Sequence, residues 1–239
     1  WIELRERHYV CVCATHIVME CQHDPELQAM VNGASLAVPD GMPLVWIAHR
    51  LGLPHVTRVY GPDLMLSFCE LAARRGYTNY LLGGAVGQPE ILARRLVDRF
   101  PGLVIAGMRP TPVRPPSREE NDAVIEEVNE VGPDVVWVGM GAPHQERWMA
   151  GNRAHLQAPI LVGVGAAFDM HSGLVRQAPD WMQRGGLEWF FRLVQEPRRL
   201  WRRYLVGNPL FVARFLAQRL GLPRPGRLGD VKPKDDLIA

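Results

Sequence analysis

The chain has 239 residues, 47% of them hydrophobic and 22% charged, with a formal net charge of +2. That length supports one sizeable core near the upper end of a single domain, and no apolar run approaches the ~18 residues of a membrane-spanning helix. The small net charge hides an asymmetry: residues 181–223 hold eight arginines against Glu188 and Glu196, a net of +6, which leaves about −4 for the rest.

A basic end of this kind seeks phosphate, whether in nucleic acid, an anionic membrane surface or a diphosphate-bearing substrate, and charge alone does not choose among them. Cys11, Cys13, Cys21 and Cys69 form no C-x-x-C pair and no disulfide-framework spacing, which points to a reducing, cytoplasmic setting. The N-terminus carries no signal-peptide pattern.

Taken in chain order, YVCVCA (9–14) predicts a first strand, along which Cys11 and Cys13 alternate as small buried hydrophobes. HIVMECQHDPELQAMVNGA (16–34) predicts a helix or a helix pair. In VPDGMPLVW (38–46), Asp40 stands between Pro39 and Gly41 just before an apolar helical pattern. Helix N-cap is its simple role; general base is the sharper one. Asp63 in RVYGPDL (58–64) and Asp169 in GAAFDMHSG (165–173) pose the same choice.

Three further units follow. TNYLLGG (78–84) predicts a strand leading into the helix PEILARRLVDRF (89–100). DVVWVGMG (134–141) leads into HQERWMAGNRAHL (144–156), and PILVGVGAAFD (159–169) ends in a polar loop. Between them, the proline-rich stretch RPTPVRPPSREEN (109–121) leads into a helix at about 120–131. Val- and Leu-rich strands, each ending in glycine and followed by a helix, are the pattern of a parallel sheet with crossover helices. The expected fold is therefore α/β, a Rossmann-like doubly wound parallel sheet over residues 1–187, with ligands beyond the carboxyl ends of its strands.

The turns GGAVGQPE (83–90) and GMGAPHQE (139–146) bring Gly83, Gly84, Gly139 and Gly141 to those ends. Glycine there lets the backbone approach a ligand while a helix N-terminus offers N–H groups to phosphate; tight packing turns are the plainer reading. Neither turn completes G-x-G-x-x-G, since His144 stands at the third glycine of the second. No D-x-D, H-x-H, H-E-x-x-H or G-x-S-x-G pattern occurs, so neither a metal nor a cofactor is expected.

In EWFFRLVQEPRRLWRRY (188–204), Arg192, Arg198, Arg199, Arg202 and Arg203 are interleaved with five aromatic residues. Pro197 suits the first turn of a helix, on which Arg199 and Arg202 share a face. Asn208 and Pro209 read as the cap and first residue of a further helix, LFVARFLAQRL (210–220), with Arg214 and Gln218 in one polar stripe. Such a helical, arginine-rich appendage over 188–221 fits the water–bilayer boundary; helices docked on the core with solvated arginines are the alternative. Residues 222–239 read as a loose tail.

Seven blocks, VPDGMPLVW, RVYGPDLML, YLLGG, VWVGMGAPHQERWM, VGVGAAFDMHSG, QAPDWMQRGGLEWFFRL and EPRRLWRRYLVGNPLF, resemble in order the WecG/TagA/CpsF glycosyltransferases over about residues 9–216. The resemblance implies an inverting, metal-free transferase that moves an N-acetylmannosamine-type or related hexose from a UDP-sugar donor to a polyprenyl-diphosphate-linked sugar. It implies Asp40 as the base, with Arg58 and Gln145 at matching active-site positions and Arg192, Arg199 and Arg202 at the lipid diphosphate. Thr15, His16, Asp63, Glu146 and Asp169, with the four turn glycines, complete the candidate substrate-binding set.

The implied setting is the inner face of a bacterial cell membrane, with peripheral attachment, no nucleic-acid partner, and a homo-oligomer contact as another cover for the apolar C-terminal helices. One departure is visible. Where many members carry Thr-x-Asn after the first strand, this chain has Val12, Cys13 and Ala14 followed by Thr15 and His16. Two other readings stand beside this one: an NAD(P)-dependent oxidoreductase using the glycine-rich turns, and a non-catalytic membrane or nucleic-acid binder using the basic end.

Overall fold

A computed structural model describes residues 1–111 and 116–221. Part of the proline-rich stretch and the tail 222–239 lie outside the described residues. Six parallel strands form one sheet: β1 (His8–Cys13), β2 (Leu36–Pro39), β3 (Thr78–Gly83), β4 (Val104–Arg109), β5 (Val135–Gly139) and β6 (Ile160–Gly163). Their spatial order is β2-β1-β6-β5-β3-β4. The register is continuous across the centre, with Leu81 beside Trp137 and Trp137 beside Val162.

The central strands are apolar on both faces because helices cover both. Met65, Leu81, Leu92, Trp137 and Phe168 pack on one side, and Tyr80, Leu82, Val136, Val138, Met149 and Leu161 on the other. The helices of this half are α1 (Thr15–Cys21), α2 (Pro25–Asn32), α3 (Met42–Arg50), α4 (Gly61–Arg75), α5 (Gln88–Arg99), α6 (Arg118–Val131), α7 (His144–Asn152), α8 (Ala167–Ser172) and α9 (Asp180–Arg184). Helix α6 starts at a capping box in which Ser117 and Glu120 satisfy each other's backbone N–H, as S-x-x-E directs.

Three features depart from the sequence reading. The expected polar loop after β6 is the helix α8, whose short run of six residues left no periodic signal. Strands β2 and β4 and the 15-residue α4 were not marked by pattern, since β2 is four residues at an edge with Leu36 and Ala37 exposed. Asn208 does not cap a helix: α10 (Glu188–Gln195) is followed by α11 (Pro197–Trp201), then by a π-helical turn (Arg202–Gly207) that runs directly into α12 (Asn208–Arg219), with Asn208 itself helical at φ −66°.

Candidate active site

A cleft of about 530 Å3 opens where the carboxyl ends of β1, β3, β5 and β6 meet the appendage. Chain geometry forces those ends together. At Gly83, φ is +137° and an added Cβ would lie 2.6 Å from the Gly139 backbone; at Gly139 it would lie 2.5 Å from the Phe168 ring. Both glycines are thus required by close packing. Gly84, Gly139 and Gly141 line the cleft, whereas Gly83 lies behind it.

Asp40 sits on the floor, directly after β2. It does not cap α3, whose cap residue is Gly41 with no side-chain hydrogen bond. Its backbone N–H donates to Cys13 O (2.8 Å), and its Oδ1 accepts from Gly61 N at 3.4 Å. Burial, and then the Glu188 carboxylate, favour its protonated form; Arg58, the Gly61 N–H and Arg192 oppose them, and the net is a pKa raised to about 6. Desolvation dominates that balance.

Arg58 donates from Nε to the Asp40 carbonyl, forms an ion pair with Glu188 and lies 4.2 Å over the Tyr60 ring. On the opposite wall, the Thr15 hydroxyl donates to Asn208 Oδ1 (3.2 Å), while His16 Nε2 is buried and unpartnered. Burial, reinforced by Arg203 and Arg192, lowers the His16 pKa to about 3, so this imidazole is neutral throughout the physiological range.

Gln145 also lines the cleft, and Glu146 lies entirely beneath it. Gln145 Nε2 donates to Glu146 Oε1 at 3.0 Å, and Gln145 Oε1 is buried without a partner. Asp169 lines the cleft with its Oδ1 held by Gln88 Nε2 at 2.9 Å. Cys11 and Cys13 are buried below, with the Cys13 thiol pushed up to about 12 chiefly by burial. Among the described residues, no three His, Cys, Asp or Glu side chains converge on a point where a metal ion would fit.

The structure therefore gathers Thr15, His16, Asp40, Arg58, Gly84, Gly139, Gly141, Gln145, Asp169, Arg192 and Arg199 around one space. Asp63 is exposed in the first turn of α4, outside the lining. Arg202 is exposed too, its guanidinium 5.2 Å from the Trp201 ring, and Arg203 takes the inward position. Arg203 stands four residues beyond Arg199, a spacing that keeps two helical residues on one face. Sequence reasoning also passed over Glu188, Tyr60 and Tyr204. Glu188 was visible as one of just two acids in the basic segment, and the two tyrosines gave no signal.

The first glycine-rich turn offers little to a dinucleotide: the Ala85 N–H is already taken by Gln88 Oε1 at 2.9 Å. Arg58, Arg192, Arg199 and Arg203 all line this cleft, which differs from a basic face turned to solvent. An aspartate of raised proton affinity facing arginines at the carboxyl edge of a parallel sheet suits group transfer in an α/β enzyme. The chain belongs to the glycosyl transferase WecG/TagA/CpsF family, whose model matches residues 1–225, and is accordingly a glycosyltransferase. This replaces the oxidoreductase and non-catalytic binder readings.

Two relatives carry the same printed name, N-acetylglucosaminyldiphosphoundecaprenol N-acetyl-beta-D-mannosaminyltransferase. That of Bacillus spizizenii (strain ATCC 23059 / NRRL B-14472 / W23) is 28% identical over 232 residues, which cover 97% of this chain and 88% of the relative. That of Bacillus subtilis (strain 168) is 27% identical over 213 residues, covering 86% and 81%.

Proposed function

We propose that the enzyme moves an N-acetylmannosamine-type sugar from a UDP donor to a polyprenyl-diphosphate-linked N-acetylglucosamine, with inversion, for a cell-surface polymer. The observation that carries this reading is the desolvated Asp40 carboxylate facing Arg192, Arg199 and Arg203 across one cleft; the names of the relatives supply the sugars.

In the step, the acceptor hydroxyl attacks the anomeric carbon as the bond to the UDP β-phosphate oxygen breaks. The hydroxyl proton passes to Asp40, and UDP leaves with the electron pair. A base whose pKa is raised to about 6 is still ionised at neutral pH and binds a proton more tightly than an ordinary carboxylate, which is the tuning general-base transfer favours. Guanidinium forks suit the acceptor's diphosphate or the negative charge on the leaving UDP.

The test is UDP release from UDP-sugars with a short-chain polyprenyl-diphosphate-N-acetylglucosamine acceptor. Asp40→Asn is expected to lose roughly 10²-fold or more; undiminished acceptor-dependent release would remove Asp40 as the base.

The same reading places the enzyme on the inner face of the cell membrane. No helix among the described residues is long and apolar enough to cross a bilayer, but the appendage and its approach expose Trp181, Phe190, Trp201, Leu205, Val212 and Leu216. Apolar residues beside arginines suit an anionic interface. Co-sedimentation with anionic vesicles, weakened by Phe190→Ser with Trp201→Ser, is expected; a dimer in solution with no vesicle binding would assign this face to a second copy instead.

A further inference from the structure

We propose that Glu188 is a positioning residue for transfer: reaching in from the appendage, it holds the Arg58 guanidinium so that Arg58 secures the backbone of Asp40 and stays off its carboxylate. The inference rests on the reading of Asp40 as the base.

Arg58 is held at three points. Its Nε donates to the Asp40 carbonyl, its Nη2 pairs with Glu188 Oε2, and its plane lies over Tyr60. The two charged side chains are 17% and 14% exposed, so solvent screens the pair little. The link spans 130 residues of sequence and joins the segment before α4 to the first turn of α10.

Without Glu188, the guanidinium is free to turn toward the Asp40 carboxylate, whose backbone carbonyl it already holds and whose charge it already favours. A direct Arg58–Asp40 pair would stabilise the ionised aspartate and weaken it as a proton acceptor. Glu188 competes for the guanidinium and adds its own negative charge beside Asp40. The groups that face Asp40 are Glu188 and Arg192 from α10, Arg58 and Tyr60 from the segment before α4, Tyr204 from the π turn and Cys13 at the end of β1. Among these, Glu188 is the sole carboxylate, and it comes from the appendage. Docking of that appendage therefore sets the strength of the base as well as covering the cleft.

The experiment compares Glu188→Gln and Glu188→Asp with the parent enzyme. In the glutamine variant, the acid limb of the kcat/KM profile is expected to move down by about one pH unit and the plateau to fall roughly tenfold. The aspartate variant restores part of both. Carboxyl 13C NMR, with the Asp40 signal identified by its loss in Asp40→Asn, should show Asp40 titrating at lower pH in Glu188→Gln.

An unmoved acid limb together with an unmoved Asp40 titration, in variants with native circular dichroism, would overturn the proposal. Should Asp40→Asn keep its activity, the base reading fails by itself, and the NMR titration still reports whether Glu188 controls Asp40. Should Glu188→Gln melt, a native Glu188→Asp whose plateau falls while Asp40 titrates as in the parent would also overturn it, because the loss would then not run through Asp40.

Discussion

The two halves of the cleft are held by different forces. The sheet half presents Asp40, Gly84, Gly139 and Gln145 from strand ends anchored in side chains such as Leu82, Val138 and Phe168, which are at most 1% exposed. The appendage half presents Glu188, Arg192, Arg199 and Arg203 from helices with little core. Helix α10 buries no residue fully, α11 buries Leu200, and α12 buries Phe211 and Ala217. Polar links tie it to the sheet half: Glu188 to Arg58, Asn208 to Thr15 and Arg214 to His23. The fully buried core lies mostly in one half and three of the cleft arginines lie in the other, so the latter is expected to loosen without unfolding the former.

The sharpest way to break this contrast is to strike the sheet half. In Gly139→Val, the first added carbon would lie 2.5 Å from the buried Phe168 ring, where neither ring nor strand has room to retreat. Urea unfolding is expected to show a loss of about 3 kcal/mol, the upper range for overpacking, with donor and acceptor binding lost together. A variant of near-parental stability would mean that the strand ends yield more than their packing suggests.

The appendage half predicts the opposite signature, a loss of function with little change in stability. Arg203→Ala removes a cleft arginine and should lower kcat/KM by roughly 10- to 100-fold, the scale of hydrogen bonds to a charged group. Arg202→Ala, one residue away, removes an exposed guanidinium beside Trp201 and should change it by less than about threefold. Steady-state assays on the two variants decide the register: a reversed order would mean that Arg202, not Arg203, faces the substrate in the working enzyme.

That register shows where the sequence stops being legible. Strands β1, β3, β5 and β6 could be read because doubly covered strands are continuous apolar runs, and Gly83 and Gly139 because glycine marked their ends. Asp40 could be singled out, though its spacing suggested a cap, and its tie to Cys13 O is a contact no local pattern encodes. Arg202 was singled out beside Arg199 by the family resemblance and by i,i+3 spacing, but helix geometry allows i,i+4 equally well, and the structure turns Arg203 into the cleft. Glu146 looked like a ligand contact, yet burial makes it the partner of Gln145. The edge strands β2 and β4 were missed because four to six residues with one open side carry little periodicity.

The finest test of the comparison is the hydrogen bond from Thr15 to Asn208 at 3.2 Å, which joins the first helix of the sheet half to the start of α12. Thr15→Val keeps the shape of the side chain and deletes its donor, leaving Asn208 Oδ1 without this partner at a part-buried site. The expected cost is about 1 kcal/mol, equivalent to about a fivefold rise in local opening. Amide hydrogen exchange should place that rise in α10 to α12 and leave β3 and β5 unchanged, because the hydrogen bond holds the appendage to the sheet half and takes no part in the sheet's own core. Equal acceleration in both halves would mean that they open as one cooperative unit, and the appendage could not then dock and release independently of the sheet.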